Sequence, residues 1–462
     1  MNNKKHKIVF ITISRGFGVR KILRTGFLDY LKENKAKVVL LFSDIRGKEL
    51  PQYLVDEFKD VDVDIEVASF PYKSKFRRKF WTLSRLLVYN KTDRKLRYLR
   101  QGKRTIIGDT SLFAENIFFG VISRMHILKS ATRLAEQKIF SSSWCEKYFD
   151  KYNPDVVFST SIISSFDVDI LKEARKRSIR TVGMPRGWDN VATTFYRVVP
   201  DVLIVQNEVM KSDAMRCQNI KSKDVAVIGF PQFDLYERKN ILLSREDFFK
   251  SIGLDDPTKK LIFWGSSGMW TPDDNNVCEL LVDTIENDKL DVPANLFIRS
   301  HFTDAVKKRF HYLKGRKNVI VDDNYTFSEF FRDNFDATTP EIIKFVNTVY
   351  HSDVIISLCS TLVLDALCCD KPIINTAFNG LYDKEGNDIS YVMYMHEHYK
   401  PLLEYGAIKL VSDKDELISN INRYLHNPEH EKDARMKAFE TLCYKGDGMA
   451  SKRLADVVLN NI

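Results

Sequence analysis

Short apolar runs rich in β-branched residues recur along the whole chain, each separated from the next by a longer stretch of helical spacing. In the first half they read KIVFITI, KVVLLFS, DVVFST, TVGM, VLIVQ and VAVIG; in the second, LIFWGSS, ANLFIRS, NVIVDD, VIISL and PIINT. Strands that alternate with helices require crossover connections and predict a mostly parallel sheet, hence an α/β fold. A chain of 462 residues is too long for one core, and the pattern predicts two such domains of roughly 200 residues each. The first spans 1–235 and the second 236–430. The stretch VIGFPQFDLYERKN, with Gly229 and Pro231 after a strand, reads as the linker.

Composition narrows the class. Hydrophobic residues make up 44% and charged residues 29%, a globular balance without a low-complexity tract. No apolar run approaches the roughly 20 residues that span a bilayer. The N-terminal MNNKKHKIVFITIS passes from a basic tip into a strand without a cleavage-site pattern, which predicts a cytoplasmic protein. Seven scattered cysteines, with only Cys368 and Cys369 adjacent, fit neither a disulfide framework nor a zinc site and read as core filler. The formal net charge is +9, and residues 73–104 concentrate Lys and Arg among Phe, Trp, Leu and Tyr. That segment reads either as a solvated basic helix or as a peripheral contact with an anionic membrane surface. No zinc-finger spacing, RNP-like run or clear helix-turn-helix accompanies the charge, so nucleic acid is not an expected partner.

In open parallel sheets, ligands bind beyond the carboxyl ends of the strands, and two facing domains would place those ends across a cleft. GMPRGWDN, residues 183–190, falls at such an end. Its Arg186, Trp188 and Asp189 share one Gly- and Pro-marked turn. Asp-Asn turns with an anchoring Trp are ordinary punctuation. Read chemically, Asp189 is a candidate base for an acceptor hydroxyl, Trp188 a stacking surface for a sugar, Arg186 a partner for an anion, and Asn190 a group to orient Asp189 or bind a hydroxyl. The loop SRGFGVRKILRTG brings Arg15, Gly16, Gly18, Arg20 and Arg24 after the first strand and suits either an anionic acceptor or solvent.

The order of these parts resembles the GT-B superfamily, in which two Rossmann-like domains face each other across a cleft and the C-terminal one holds a donor nucleotide. DVLIVQNEVMKSDAMRCQNIKSKDVAVIGFPQFD is similar to the family's closing strand–helix–strand with its V-x-G-x-x-x-x-D ending, here Gly229 and Asp234. HSDVIISLCSTLVLDALCCDKPII resembles the second-domain motif of a strand ending in Ser/Thr, an acidic helix and a turn to Pro. LFIRSHFTD resembles the strand ending in Arg and His of CDP-glycerol phosphotransferases, although Phe302 stands where a Pro is usual and Asp365 where Glu is more common. Non-hydrolysing UDP-sugar 2-epimerases share the V-x-G-x-x-x-x-D ending, but LCSTLVLD lacks their Gly-rich loop. In such a fold the helices of 431–462 pack back on the first domain.

Within that frame, the donor diphosphate needs hydroxyls, free N–H groups and cations. Ser360 and Thr361 follow VIISLC and open a helix, so they are candidates for donor contact or for plain capping. Asp365, one turn on, can reach a sugar or ribose hydroxyl. Gly265, Ser266, Ser267 and Gly268 form a loop that can wrap a phosphate but is no P-loop. Arg299 and His301 end a strand, with Arg299 placed to neutralise a leaving diphosphate unless it is held in a salt bridge. The Asp-Val-Asp runs at 62–64 and 167–169 read as a solvent-facing strand and a helix start, so no metal site is expected, and His396 and His398, a weak metal pair, read rather as a cleft-lining contact or a satisfied surface pair. The expected function is a metal-independent GT-B glycosyltransferase that uses a nucleotide-sugar donor, without a cofactor, on a surface-glycan or lipid-linked acceptor. A CDP-glycerol- or ribitol-type phosphotransferase, a UDP-sugar 2-epimerase and a non-catalytic scaffold stand as alternatives.

Overall fold

The computed structural model describes residues 7–44, 47–59, 63–71, 74–102 and 111–462. Thirteen strands fall into two wholly parallel sheets. The first is built from β1 (Ile8–Ile13), β2 (Lys37–Asp44), β3 (Val63–Ser69), β4 (Val156–Ser159), β5 (Arg180–Gly183), β6 (Val202–Val205) and β7 (Val225–Val227), in the order 3-2-1-4-5-6-7. The second contains β8 (Lys260–Gly265), β9 (Ala294–Arg299), β10 (Val319–Asp322), β11 (Val354–Ser357), β12 (Ile373–Thr376) and β13 (Lys409–Val411), in the order 10-9-8-11-12-13. Central strands such as IVFITI and LIFWG are buried on both faces, as helices on either side of a parallel sheet require. The strand order reverses between β1 and β4 and again between β8 and β11. Loops on either side of such a point diverge and leave a crevice, so the sheets themselves mark 14–24 and 358–361 as ligand-facing.

The V-x-G-x-x-x-x-D ending has a structural job. Gly229 is in the left-handed region at φ +88°, and a Cβ there would crowd Ala450, Arg453 and the Tyr444 carbonyl at 3.3 Å. Asp234 accepts hydrogen bonds from the Ala450 and Ser451 amides at 2.9 and 2.7 Å, at the start of the helix Ala450–Leu459. That helix packs on Phe27–Glu33 of the first domain. The chain therefore leaves the first sheet after β7, builds the second, and returns.

Between β3 and β4 lies a helical insertion: Lys75–Ser84, Lys91–Arg100, Leu112–Ile122 and His126–Ile139. It includes most of the basic segment, whose residues 73 and 103–104 fall outside the described residues. Part of that charge is internal, contrary to a simple solvated basic face. Arg77 binds Asp169 at 2.6 Å and Glu136 at 2.7 Å, and Arg94 pairs with buried Glu115. Asp167 is likewise occupied, accepting from Ser159 at 3.0 Å and from Thr12. Asp62 lies outside the described residues.

Arg24, expected to meet an acceptor or solvent, is instead a buried tie between domains. Its guanidinium binds Glu57 at 2.7 and 2.8 Å, reaches Asp336 of the second domain, and has a side chain only 2% exposed. Tyr53 donates to the same Asp336 at 2.6 Å. Removing one partner of a buried pair strands the other charge, at about 3–5 kcal/mol. Arg24→Met should therefore lower stability by about that amount. Chemical denaturation read against wild type checks this, and a loss below about 1 kcal/mol would mean that the pair is not holding the interface.

Candidate active site

The loop after β1 enters the second domain. Gly16 sits so close to the Phe335 carbonyl that a Cβ would fall 1.6 Å from its oxygen, and its amide donates to Asp333 at 3.1 Å. Phe17 packs between Phe302 and Phe335, with ring centroids 5.6 and 5.1 Å away. Residues Val19–Leu23 then form a single π-helical turn, closed by the Arg24 amide on the Val19 carbonyl at 3.0 Å. Such widened turns recur at functional sites. This one carries Arg20 and Lys21.

Arg20 stacks over Phe345 at 5.3 Å and lies within the field of Asp365 and Arg299. Lys21 donates to the Arg186 carbonyl at 3.3 Å. Burial, with the Arg20 and Arg186 charges adding to it, pushes its ammonium down to about 8, against the pull of Asp189 and Asp365. Asp365 faces this pair from the helix Leu362–Cys368 and is no exposed carboxylate. It accepts from Tyr236 of the interdomain segment at 2.8 Å, and burial raises it to about 6.

The RGWDN turn is shaped around its carboxylate. A side chain at Gly187 would come within 2.6 Å of Asp189 Oδ1. Asn190 accepts from the Gly187 amide at 3.1 Å and donates to Asp189 Oδ2 at 3.0 Å, the orienting role expected of it. The Asp189 charge is felt by Lys21 on its own domain and by His396, His398 and Cys359 on the other. Burial lowers both histidines, His398 to about 4. Trp188 takes the anchoring alternative rather than the stacking one: it is only 6% exposed, edge-on to His398 at 4.8 Å and near Tyr399 at 6.4 Å. Its ring is an interdomain packing surface, so it offers no face to a sugar.

Several donor-side candidates also have structural employment. A Cβ on Gly265 would meet Leu362 at 2.5 Å, so this glycine admits the neighbouring helix rather than a phosphate. Ser266 donates to Asp304 at 2.6 Å and to Asp274 at 3.2 Å, and its oxygen accepts from the Gly268 amide. Ser267 Oγ is buried and lacks a hydrogen-bond partner among the described residues, which leaves it the better candidate. Gly268, at φ +66°, lies against the His301 ring. His301 Nδ1 accepts from the Thr303 amide at 3.3 Å, capping the short helix Phe302–Ala305, and burial lowers it to about 4. Arg299 is in the salt bridge set against its phosphate role: it pairs with Asp322 and is flanked by Tyr325 and Phe345 at 4.9 and 5.0 Å. Ser360 accepts from the Leu362 amide at 3.3 Å, whereas Thr361 is exposed and makes no capping bond. His396 lies 3.8 Å from Asp93, and among the described residues no group of three or more His, Cys, Asp or Glu is arranged to hold a metal ion.

Sequence reasoning missed Lys21 and Tyr236. A lysine amid KILR and a tyrosine in a linker carry no local signal, since both depend on the partner domain.

The sequence pattern of the CDP-Glycerol:Poly(glycerophosphate) glycerophosphotransferases matches residues 181–460, more than half of the chain. The chain belongs to that family. The matched region begins at β5 and so includes the Asp189 turn, the whole second sheet and the returning helix. Among curated protein sequences none matches. Solved structures similar to this family member over its length include UDP-GlcNAc 2-epimerase from Neisseria meningitidis bound to UDP-GlcNAc, at 12% identity and a TM-score of 0.57, covering 99% of this chain and 100% of that one. The S. aureus MnaA–UDP co-structure follows at 11% and 0.54, covering 99% and 98%. The wall teichoic acid polymerase TagF is similar at 12% and 0.51, covering 98% and 89%. At such identities the likeness establishes the fold, two Rossmann-like domains of GT-B type.

The charge balance around Lys21 can be read directly. In wild type its titration should centre near 8. Asp189→Asn removes a stabilising anion and should lower that midpoint, while Arg186→Ala removes a repelling cation and should raise it. NMR of isotopically methylated lysines checks both, and equal midpoints in all three proteins would separate Lys21 from the Asp189 turn.

Proposed function

We propose that this protein transfers a phosphate-linked polyol from a cytidine diphosphate donor to a hydroxyl of a growing cell-surface polymer or lipid-linked acceptor. The observation that carries the reading is that Arg20 and Lys21, after β1, face Asp365, after β11, while Lys21 also faces Asp189, after β5. A diphosphate needs cations where its leaving charge develops, and an acceptor hydroxyl needs a base. Arg20, Lys21 and Arg186 are the cations, and Asp189 is the base held by Asn190. Family membership favours phosphoryl transfer over sugar transfer, and the burial of Trp188 removes the ring a sugar would stack on.

In this reading the acceptor oxygen attacks the β-phosphorus and its proton passes to Asp189. The bond from the β-phosphorus to the bridging oxygen breaks, and cytidine monophosphate leaves with that oxygen. Asp365, hydrogen-bonded to Tyr236, sets the charge of the cationic pair. The reading carries metal independence forward, because three cations stand at the strand ends; turnover in excess chelator tests that part.

One assay tests the class of reaction. Purified protein given CDP-glycerol, CDP-ribitol or UDP-sugars with an acceptor should release a nucleoside monophosphate and leave phosphorus in the new linkage. Release of a nucleoside diphosphate would replace this reading with glycosyl transfer. Asp189→Asn should slow turnover by roughly 10²–10⁴-fold while a nucleotide-induced thermal shift persists. Near wild-type turnover would remove Asp189 from the chemistry.

A further inference from the structure

Four titratable side chains lead from the Asp189 turn to the surface. The ring of His398 stands edge-on to Trp188 at 4.8 Å, and of the charges around it that of Asp189 acts most strongly. His396 comes next, its ring centroid 5.4 Å from that of His398 and its plane tilted by 35°. His396 Nε2 in turn lies 3.8 Å from Asp93 Oδ1, on the insertion helix Lys91–Arg100. Two imidazoles at that centroid spacing, like a nitrogen and an oxygen at 3.8 Å, are joined by one bridging water or by a small shift into direct contact. Exposure rises outward along the series, from 12% for the His396 side chain to 36% for that of Asp93.

This arrangement does more than pack. His396 Nδ1 is buried without a hydrogen-bond partner among the described residues, and buried polar atoms are rarely left so. Thr92, beside Asp93, donates to the carbonyl of Met395, beside His396, at 2.9 Å, which fixes the insertion to this segment. Neighbours that could divert a proton are engaged elsewhere: Glu397 binds Lys400 at 2.9 Å and lies in the field of Arg216 and Asp213, and Tyr399 donates to Asn375 at 2.7 Å. At the outer end Arg85 shares the field of Asp93. Burial holds both rings below the usual imidazole range, against the pull of Asp189 and Asp93, so at neutral pH each carries one N–H and one lone pair. That form takes a proton on one nitrogen and releases one from the other. The alternative way out of the turn leads past Lys21 and Arg186, where a proton would move against like charge.

We propose that His398, His396 and Asp93 form a relay that carries the acceptor's proton from Asp189 to solvent. The inference rests on the reading of Asp189 as the base. Once Asp189 has taken the hydroxyl proton, it passes that proton to the open nitrogen of His398, while the N–H proton of His398 moves to His396 and the N–H proton of His396 moves to Asp93. Asp93 releases it to bulk water. One proton leaves Asp189 and one enters solvent, only O–H and N–H bonds change, and both rings end neutral with the N–H on the opposite nitrogen. Rotation of each ring about its Cβ–Cγ bond restores the starting form. The three residues act through Asp189 rather than on substrate, and the helical insertion gains a part in turnover because it supplies the outlet.

Two measurements test the relay. The first is nitrogen NMR of the full chain with isotopically labelled histidine and no ligand. Asp189→Asn should shift the ring signals of His398, and Asp93→Asn those of His396; ring signals unmoved by both substitutions would overturn the proposal. The second is turnover of CDP-glycerol, with glycerol phosphate as acceptor, in dilute and in concentrated imidazole buffer at constant ionic strength. Asp93→Asn and His396→Gln should each slow kcat by roughly 10-fold in dilute buffer at unchanged KM, and concentrated imidazole, which takes the proton in place of the relay, should restore most of it. His398→Phe keeps a ring against Trp188 and should be slow in both buffers, which separates the relay from packing. Losses that imidazole does not relieve in Asp93→Asn and His396→Gln, or wild-type kcat of both in dilute buffer, would overturn the proposal. Asp189→Asn distinguishes the two readings. Slow turnover there beside wild-type rates in the relay variants would keep the base and remove the relay, whereas wild-type turnover in Asp189→Asn would remove both.

Discussion

The loop between β1 and the helix Phe27–Glu33 holds the molecule together and also makes its chemistry. Gly16 and Phe17 press into the second domain, and Arg24 ties Glu57 to Asp336 across the junction. Those anchors bracket the π turn that carries Arg20 and Lys21. Two half-buried cations side by side repel each other, and desolvation alone would expel them. They stay because Asp365 and Asp189 face them and because the flanking residues are locked. The cationic pair is therefore a product of domain contact, absent from either domain alone.

Asp189 depends on the same junction from the other side. Its turn is set within the first domain by Gly187 and Asn190, but its surroundings come from the second, through His398 packed on Trp188. A tryptophan used as packing rather than as a platform has a physical logic: its large apolar area fixes the distance between the domains beside the carboxylate. The crevice is thus bounded by one aromatic contact at Trp188 and another at Phe17, with charged groups between them.

Much of the fold was legible because β-branched runs such as IVFITI and VIIS bury both faces and carry their own signal. The short strand Lys409–Val411 was not, since three residues beginning with a lysine leave no pattern. At the site, RGWDN could be singled out because Arg, Trp and Asp crowd one turn. The roles of Trp188, Ser266 and Arg24 could not be settled from sequence for a common reason. Sequence shows that a side chain can bind a ligand, but a partner from a distant element, here His398, Asp304 or Asp336, decides whether it is free to. Lys21 was invisible for the converse reason, since its low ammonium value comes from burial between domains.

The bond from Asp234 to the helix Ala450–Leu459 joins residues 216 positions apart in the chain. Helix Phe27–Glu33, near the start, packs against that helix. During synthesis the first sheet can form early, yet one of its apolar flanks waits for the helix Ala450–Leu459 to be added. Contacts between remote parts of a chain form late and slowly, and the intermediate that waits for them is prone to association. The helix that completes the first domain is thus added after every strand of the second sheet.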